Sequence, residues 1–399
     1  MERIMILGAS ILQLPAIRKA KEMGLEVIAV DMDPNAIGFK EADINLVIST
    51  IDIPNAIKAA KEYKIDGVMT LASDMPMRTV AAIAQEMGLI GITDDTALKA
   101  TNKAMMRQAL YDYGVPIPCF FKASSEEEYI AAVKKIERVG YRCIVKPADN
   151  SGSRGVDLLE DFEDGTIKRA YDYSRTYSRN GDVVVEEYME GPEVSVETLS
   201  INGECHVIQI TDKLTTGAPY FVEMGHNQPS GLSKAVCEEI RKVAIAANKA
   251  IGITNGPSHT EIKVTADGPK VVELGARLGG DNITTHLVPL STGVDMVECC
   301  IRIALGDTPD ITPKFNRASA IRYIKSNIGV IEAITGVDEA EKVQGIKQVS
   351  IVHGAGERAK EIQSSVDRIG FAIAQADTVE DAIDACETAL KRIKVAIRR

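Results

Sequence analysis

The alternation of apolar runs and helical segments in the first hundred residues is the strongest constraint on the fold. Apolar strands are predicted at Ile4–Leu7, Val27–Val30, Leu46–Ile48 and Val68–Leu71, with helical segments between them. Strands that alternate with helices form a parallel sheet with right-handed crossover connections. The N-terminal region is therefore predicted to be a Rossmann-like α/β domain.

The turn after the first strand has part of a dinucleotide-binding pattern. Gly8-Ala9-Ser10 follows the strand and Asp31 ends the next one, but the second and third glycines of G-x-G-x-x-G are missing. We predict a Rossmann-like fold without a bound dinucleotide, in which Gly8 permits a tight turn and Asp31 ends a strand. An NAD(P)-dependent enzyme or a nucleotide-binding regulator is the alternative from a different functional class.

The pattern changes in the middle of the chain. A helix is predicted from Asp94 or Asp95 to Tyr113, ending before the stiff connector 114–118, which contains two prolines. Two hairpins are predicted further on, one with a two-residue Asn202-Gly203 turn and one with a three-residue turn at 266–268. From about Phe315 the pattern indicates a small α+β domain.

Charge and cysteine content limit the partners and the compartment. The net charge is −11 without a basic cluster, which argues against nucleic acid or an anionic membrane as partner. The opening MERIMILG is typical of a strand and not of a signal peptide, and no apolar stretch approaches the ~20 residues that span a bilayer. Seven cysteines without C-x-x-C spacing favour reduced thiols in the cytoplasm. A homodimer is the default oligomer.

Two glutamates of the second hairpin are the most informative polar residues. With the turn centred on Asp267, Glu261 lies opposite Glu273 on the same face of the sheet. Opposed carboxylates repel each other, and Mg²⁺ (or Mn²⁺) with substrate phosphates would relieve that repulsion. A solvent-exposed hairpin would leave them harmless, and a bulge would shift the register. Arg277 and the pair Gly279-Gly280 follow, and they can offer a guanidinium and backbone N–H groups to phosphate oxygens.

Two lysines are candidates for contact with phosphate groups. Lys146 ends the apolar strand that begins at Cys143, and the loop 149–156 beyond it is rich in glycine and serine. Glycines allow backbone N–H groups to approach phosphate closely, although a turn between two strands would look similar. Lys103 lies on the helix before the connector, and taken alone it resembles any solvated lysine.

Together these segments resemble the ATP-grasp superfamily of carboxylate–amine ligases over about residues 1–310. The shared order is a Rossmann-like start, Lys103, Lys146 with its loop, E-E-Y-x-E-G-x-E from Glu186 to Glu193, and the paired glutamates with a following arginine. The resemblance implies a multidomain α/β and α+β fold. It implies a Rossmann-like pre-ATP-grasp domain at 1–98, an ATP-grasp domain at 99–312 with a lid subdomain at about 118–187, and a small C-terminal α+β domain at 313–399.

The resemblance also implies roles for individual residues. Lys103, Lys146 and the flap at 151–155 would contact ATP phosphates, while Glu186 meets the adenine amino group and Glu193 the ribose hydroxyls. The implied ATP-binding set is Lys103, Lys146, Ser151, Gly152, Ser153, Glu186, Glu187, Tyr188, Met189 and Glu193, where 187–189 act through their backbone. Glu261 and Glu273 would hold the metal, and Arg277 and Lys146 would be catalytic. Many members have Asn where this chain has Gly275. The resemblance therefore implies that the metal is coordinated more loosely here, or that water or another residue completes its coordination.

Within the superfamily, the L-amino-acid ligases, which make dipeptides, are the most similar subgroup. The segments that carry this similarity are Phe221–His226, Pro229-Ser230, Glu273–Asp281, Gly329–Ile331 and Gly345-Ile346. The similarity implies that ATP activates a carboxylate as an acyl phosphate, which an amine then attacks, with ADP and phosphate released.

The substrates would be a small-molecule carboxylate and an amine. The implied substrate-side residues are Glu223, His226, Gly279 and Gly280, although His226 could merely cap a loop. Phosphoribosylamine–glycine ligase and the carbamoyl-phosphate synthase and biotin-carboxylase types share the same core and are the alternatives.

Overall fold

The structure, a computed structural model, describes residues 1–150, 154–325 and 327–398. None of the helices in these ranges is long and apolar enough to cross a membrane.

The N-terminal region forms the predicted parallel sheet. Its four strands are hydrogen-bonded in the order β3-β2-β1-β4, and all neighbouring pairs are parallel. The elements are β1 (Arg3–Leu7), α1 (Leu14–Glu22), β2 (Glu26–Asp31), β3 (Ile44–Val47), α2 (Ile53–Tyr63), β4 (Gly67–Met69) and α3 (Pro76–Met87). The inner strands β1 and β2 are apolar and buried over residues 4–7 and 27–30, because helices cover both faces of the sheet.

The turn after β1 has a structural role for both residues of the partial dinucleotide pattern. Gly8 has a φ of +99°, and a Cβ on it would lie 2.7 Å from Cδ of the buried Gln13. The Asp31 carboxylate accepts a hydrogen bond of 2.8 Å from the Ala9 N–H and another of 3.0 Å from the Asp33 N–H. Gly8 therefore makes room for Gln13, and Asp31 ties the β1 and β2 ends together.

The single helix predicted from 94 to 113 is wrong, because the chain forms two helices there. They are α4 (Asp94–Thr101) and α5 (Lys103–Asp112). Asn102 between them is extended, with φ −130° and ψ 112°, and its side chain accepts a hydrogen bond from the Met105 N–H. Asparagine is a strong N-cap, so it starts a new helix and places Lys103 on its first turn.

An antiparallel sheet of four strands follows, in the order β5-β8-β6-β7. Its elements are β5 (Phe120–Ala123), α6 (Glu126–Arg138), β6 (Cys143–Pro147), β7 (Asp157–Leu158), α7 (Asp164–Tyr177) and β8 (Val183–Glu187). The two helices pack on one face through Tyr129 and Tyr171, whose ring centroids are 4.8 Å apart. The other face is left for the strand ends that carry Lys146 and Glu186.

The largest sheet in the described residues has eight strands, and the five from the central region lie in the order β13-β12-β9-β10-β11. Its elements within the central region are β9 (Glu193–Ile201), β10 (Glu204–Thr215), β11 (Glu223–Gln228), α8 (Lys234–Ile251), β12 (Gly256–Thr265), β13 (Gly268–Gly275), α9 (Val288–Thr292) and α10 (Met296–Ala304). The predicted Asn202-Gly203 hairpin is confirmed, with Ile201 paired to Glu204 and both turn residues at positive φ.

The second hairpin has a two-residue turn, so the predicted three-residue turn is wrong. Thr265 pairs with Gly268, and the register then shifts by one residue between Glu261 and Ile262. The shift is a bulge that leaves Val272 as the extra residue of β13. Glu261 and Glu273 are nevertheless direct partners, as predicted, because the bulge offsets the shorter turn.

The C-terminal region divides its strands between the large sheet and a small sheet of its own. Its elements are β14 (Ala318–Tyr323), β15 (Gly329–Thr335), α11 (Val337–Glu341), β16 (Ile346–Ile351), β17 (Arg358–Ala359), β18 (Gly370–Ala376), α12 (Val379–Arg392) and β19 (Lys394–Arg398). Strand β14 pairs with β11, so β14, β18 and β16 extend the large sheet, and only β17-β15-β19 are separate. The predicted domain boundary at 313 therefore precedes a strand that continues the same sheet, and the domain limits stay predictions.

Candidate active site

A cleft of about 850 Å³ lies between the antiparallel sheet β5-β8-β6-β7 and the eight-stranded sheet. Its wall carries both acidic and basic side chains. Its lining residues include Lys103, Lys146, Glu186, Glu187, Tyr188, Met189, Glu193, Lys213, Glu223, Glu261 and Glu273. The structure thus gathers residues that are far apart in sequence, and most of the predicted ATP-binding and metal-binding set is among them.

Glu261 and Glu273 lie on neighbouring strands and face the same side of the sheet, because they are direct partners in an antiparallel pair. Each carboxylate has its own ammonium group. The Lys213 Nζ is 2.8 Å from Oε1 of Glu261, and the Lys103 Nζ is 2.7 Å from Oε1 of Glu273. Lys103 also donates to the carbonyl of Asn150 at 2.7 Å, beside the predicted flap.

Lys213 is a functional candidate that the sequence reasoning missed. Its side chain is 4% exposed and forms ion pairs with Glu193 at 2.7 Å, Glu261 at 2.8 Å and Glu223 at 3.5 Å. Burial alone would lower the pKa of this ammonium, but the three carboxylates raise it well above its usual value. A cation therefore already sits among three acidic groups, at one end of the cleft. Its sequence context, Thr211-Asp212-Lys213-Leu214-Thr215 at the polar end of β10, gave no signal of this role.

Lys146 and Glu186 form a buried ion pair at 2.7 Å, and Arg107 completes it. Arg107, 2% exposed, donates from Nε and Nη2 to the two oxygens of Glu186 at 2.6 and 3.1 Å. Burial would raise the pKa of Glu186, but the two cations lower it to about 2. The carboxylate that was predicted to meet the adenine amino group is thus held by two basic side chains, and that assignment stays a prediction.

Arg107 also fixes the bulge next to the paired glutamates. Its Nη1 donates to the Val271 carbonyl at 3.1 Å and its Nη2 to the Val272 carbonyl at 2.7 Å. These are the residues around which the register of β13 shifts. One buried guanidinium therefore joins the position of Glu186 to that of Glu273. Sequence reasoning missed it, because an arginine on an amphipathic helix is usually solvated.

The segment 187–193 borders the cleft where a nucleotide base and ribose are predicted. The Glu187 carboxylate accepts from the Cys119 N–H at 3.1 Å and lies 3.3 Å from the Lys270 Nζ. Met189 is buried, and Tyr188 has the Lys263 ammonium 5.4 Å from its ring centroid. Glu193 is engaged by Lys213. The predicted flap residues Ser151, Gly152 and Ser153 lie outside the described residues.

Arg277 is held by an aspartate from the N-terminal sheet. Its Nε donates to Oδ1 of Asp74 at 2.8 Å, and its Nη2 is 3.4 Å from Oδ2. Burial would lower the pKa of the guanidinium, but Asp74 raises it, so the group stays charged. Gly279 lies against a buried pair in which the His259 Nδ1 is 2.6 Å from Oε1 of Glu197.

The close packing at Gly279 has a steric reason. A Cβ there would come within 2.7 Å of the His259 Nδ1, so only glycine allows the loop to approach. Burial would lower the pKa of His259, but Glu197 raises it to about 9. At neutral pH the histidine is therefore a further positive charge behind Glu261, whose carboxylate is 3.5 Å from its Nε2.

The predicted substrate residues Glu223 and His226 take different partners. Glu223 turns its carboxylate to Lys213, inside the cleft, whereas the buried His226 has its Nε2 3.4 Å from Asp281. Arg368, from the C-terminal region, binds both oxygens of Asp281 at 2.8 and 2.7 Å and donates to the Glu223 carbonyl at 3.0 Å. Gly280 is adjacent to this cluster. The structure therefore places His226 beside an ion pair between two distant parts of the sequence, and not among the residues that line the cleft.

The residues present suit a divalent cation that is shared with a nucleotide. Among the described residues, no group of three or more histidines, cysteines or acidic residues is arranged to hold a metal ion. Two facing carboxylates are nonetheless the usual protein contribution to Mg²⁺, which keeps several waters and takes phosphate oxygens for the rest. Glu261 and Glu273 meet that requirement, with Lys103 and Lys213 as the counter-charges in this structure.

Comparisons with known proteins match two segments of the chain to known domains. Residues 139–285 match the ATP-grasp domain, and residues 322–398 match the L-amino acid ligase C-terminal domain 2. An L-arginine-specific L-amino acid ligase of Bacillus subtilis is 28% identical over 286 residues, covering 70% of this chain and 67% of that protein. A phosphoribosylamine–glycine ligase of Methanocaldococcus jannaschii is 26% identical over 416 residues, covering 95% and 90%.

The fold is also that of a solved ligase. The crystal structure of an L-amino acid ligase from Bacillus licheniformis is similar with a TM-score of 0.84 at 23% identity, covering 100% of this chain and 99% of the other. The two matching domains and the ligase relatives lead to one assignment. The chain belongs to the ATP-grasp superfamily as an ADP-forming carbon–nitrogen ligase, with an L-amino acid ligase C-terminal domain after its ATP-grasp domain.

Proposed function

We propose that the enzyme joins the carboxylate of one amino acid to the amino group of a second one, with ATP as the source of energy. The observation that carries this choice of substrates is the match of residues 322–398 to the L-amino acid ligase C-terminal domain. The relative from Bacillus subtilis supports it, since its name gives arginine as a substrate of an L-amino acid ligase.

The charges of the cleft fit phosphoryl transfer from ATP to a carboxylate. Lys103, Lys146 and Lys213 line one cleft and would offset the negative charge of the triphosphate. Glu261 and Glu273 would hold Mg²⁺, which when bound draws phosphate oxygens together and neutralises their charge. Arg277 would stabilise the phosphoryl group in transfer, because its guanidinium stays charged and is fixed by Asp74.

Activation is needed because a free carboxylate is a poor electrophile. Transfer of the γ-phosphoryl group turns one carboxylate oxygen into part of a phosphate leaving group. The amine then attacks the acyl carbon, the C–O bond to phosphate breaks, and a proton leaves the nitrogen. The chain's own contribution is to position the reactants and to supply fixed charges, which is the main source of catalysis in such transfers.

A screen of amino-acid pairs tests the choice of substrates. The purified enzyme is incubated with Mg-ATP and all pairs of proteinogenic amino acids, and ADP, phosphate and dipeptide are measured together. We expect at least one pair to give the three products in equal amounts. The variant Arg277→Ala should lose ligation but still bind ATP, whereas Arg138→Ala, which changes an exposed arginine of α6, should behave as the parent.

The second candidate is phosphoribosylamine–glycine ligation. The observation in its favour is the archaeal relative, which is similar over 95% of this chain. Phosphoribosylamine with glycine is therefore included in the screen. ADP formation with that pair, and with no pair of amino acids, would replace dipeptide synthesis by this reaction.

A further inference from the structure

We propose that Asp74 is a positioning residue of the ligase, which reaches from the N-terminal sheet into the site and holds Arg277 beside the strand end at Gly275. This inference rests on the proposed role of Arg277 in phosphoryl transfer. The loop that carries Asp74 follows β4, so the residue comes from a different sheet than Glu273 and Arg277.

A side chain at residue 275 would crowd the Asp74 carboxylate in its present position. A Cβ on Gly275 would lie 2.7 Å from Oδ1 of Asp74 and 3.1 Å from Nε of Arg277. Gly275 is two residues after Glu273, so the two positions face the same side of β13. The Asp74 carboxylate therefore occupies the place that a side chain at 275 would take, on the face that carries Glu273.

The charges around Asp74 locate it in the same cluster. Burial would raise the pKa of its carboxyl group, but Arg277, Lys103 and His259 lower it below the usual value. Lys103 is the partner of Glu273, and His259 lies behind Glu261. Asp74 is thus an anion among the cations that surround both paired glutamates.

The loop that carries Asp74 contains a residue in the left-handed backbone conformation. Ala72 has a φ of +57°, which is uncommon for a residue other than glycine, and its Cβ would be 3.6 Å from a Cβ on Gly280. The buried Gln13 supports the loop from behind, since its Nε2 donates to the Leu71 carbonyl at 2.6 Å. Such conformations persist where neighbouring contacts determine them, and they cluster at functional sites.

Asp74 is therefore best tested from both sides of the contact. Asp74→Ala removes the carboxylate, and Gly275→Ala expels it without touching Asp74 itself. Asp74→Asn keeps one acceptor for the Arg277 Nε–H and removes the charge. Gly165→Ala is the matched control, because a Cβ there meets no atom within 4 Å.

Turnover gives the first readout. Asp74→Ala and Gly275→Ala should each lower kcat for acid-dependent ADP formation by about 100-fold, the scale of losing one fixed group that stabilises a transition state. The double variant should lose no more than either single variant, because both remove the same contact. The KM for ATP should change less than threefold, and Asp74→Asn should keep an intermediate kcat.

The second readout does not depend on activity. In ¹H–¹⁵N spectra that observe arginine side chains, the Nε–H of Arg277 should exchange slowly in the parent and in Gly165→Ala, and rapidly in Asp74→Ala and Gly275→Ala. Unchanged exchange or unchanged kcat in Gly275→Ala would overturn the proposal. A parent that protects this Nε–H but forms no ADP with any acid would instead refute the proposed function and leave the contact intact.

Discussion

The buried guanidinium of Arg107 offers the most quantitative prediction. In Arg107→Met the side chain keeps much of its length but loses both bonds to Glu186 and both bonds to the backbone carbonyls of the β13 bulge. Among the described residues, Lys146 is then the basic side chain that remains paired with Glu186. The bulge that makes Glu261 and Glu273 direct partners loses its anchor at the same time.

The magnitude follows from the burial of the pair. Removing one partner of a buried ion pair costs about 3–5 kcal/mol, because the other charge is left uncompensated. Each carbonyl without a partner adds about 1–3 kcal/mol. Lys146 offsets part of this loss, so we expect the free energy of unfolding to fall by about 4 kcal/mol. For a unit of 150–250 residues, that corresponds to a melting temperature lower by about 8–16 °C.

Thermal and urea unfolding measure this loss directly, with Arg138→Met as the exposed control on α6. Arg107→Met/Glu186→Gln should recover part of the stability, because the uncompensated charge is gone. Mg-ATP affinity should also fall in Arg107→Met, since Glu273 depends on the bulge. A loss below about 1 kcal/mol in Arg107→Met would refute this reasoning. So would strict additivity, in which Glu186→Gln lowers the free energy of unfolding as much in the Arg107→Met background as in the parent.

Three further predictions follow from other contacts of the site. Lys213→Ala should lower the rate of acid-dependent ADP formation about 100-fold, and the exposed Lys242→Ala should not, as a coupled ADP assay will report. The low pKa of Glu186, about 2 in the folded protein, means that its contribution to stability is complete above about pH 4.3 and is lost as the pH falls toward 2. Urea midpoints between pH 5 and 2 should therefore fall less steeply in Glu186→Gln than in the parent. Arg368→Gln should lower the free energy of unfolding by about 3 kcal/mol and leave the KM for ATP unchanged. The reason is that it breaks an ion pair with Asp281, which does not line the proposed nucleotide cleft. A changed KM for ATP without a loss of stability would contradict this placement.

Local patterns were enough to predict the elements that hold the site. Alternating strands and helices predicted the parallel N-terminal sheet. The Asn202-Gly203 turn predicted the hairpin between β9 and β10 of the eight-stranded sheet. The pairing of Glu261 with Glu273 was predicted as well, but two errors cancelled. The turn is one residue shorter than expected, and a bulge restores the register. That bulge depends on Arg107, which lies more than 160 residues away in sequence.

The parts that could not be predicted are those that depend on distant partners. Lys213 and Arg107 look like ordinary surface residues until their strands and helices are packed. Only then does Lys213 lie among three carboxylates, and Arg107 against the Glu186 carboxylate and two backbone carbonyls. Asp74 is separated from Arg277 by 203 residues and lies in the loop after β4 of the N-terminal sheet. The break at Asn102 was missed for a local reason, because the polar cap was outweighed by the helical pattern on both sides.

Trapping of the activated acid tests the phosphoryl-transfer chemistry most directly. The enzyme is incubated with Mg-ATP, a mixture of amino acids and hydroxylamine, and the acyl hydroxamate, ADP and AMP are quantified by mass spectrometry. Transfer of the γ-phosphoryl group predicts hydroxamate and ADP in equal amounts, both dependent on the acid and both lost in Arg277→Ala. Acid-dependent AMP release, or the same ADP formation in Arg277→Ala as in the parent, would contradict it.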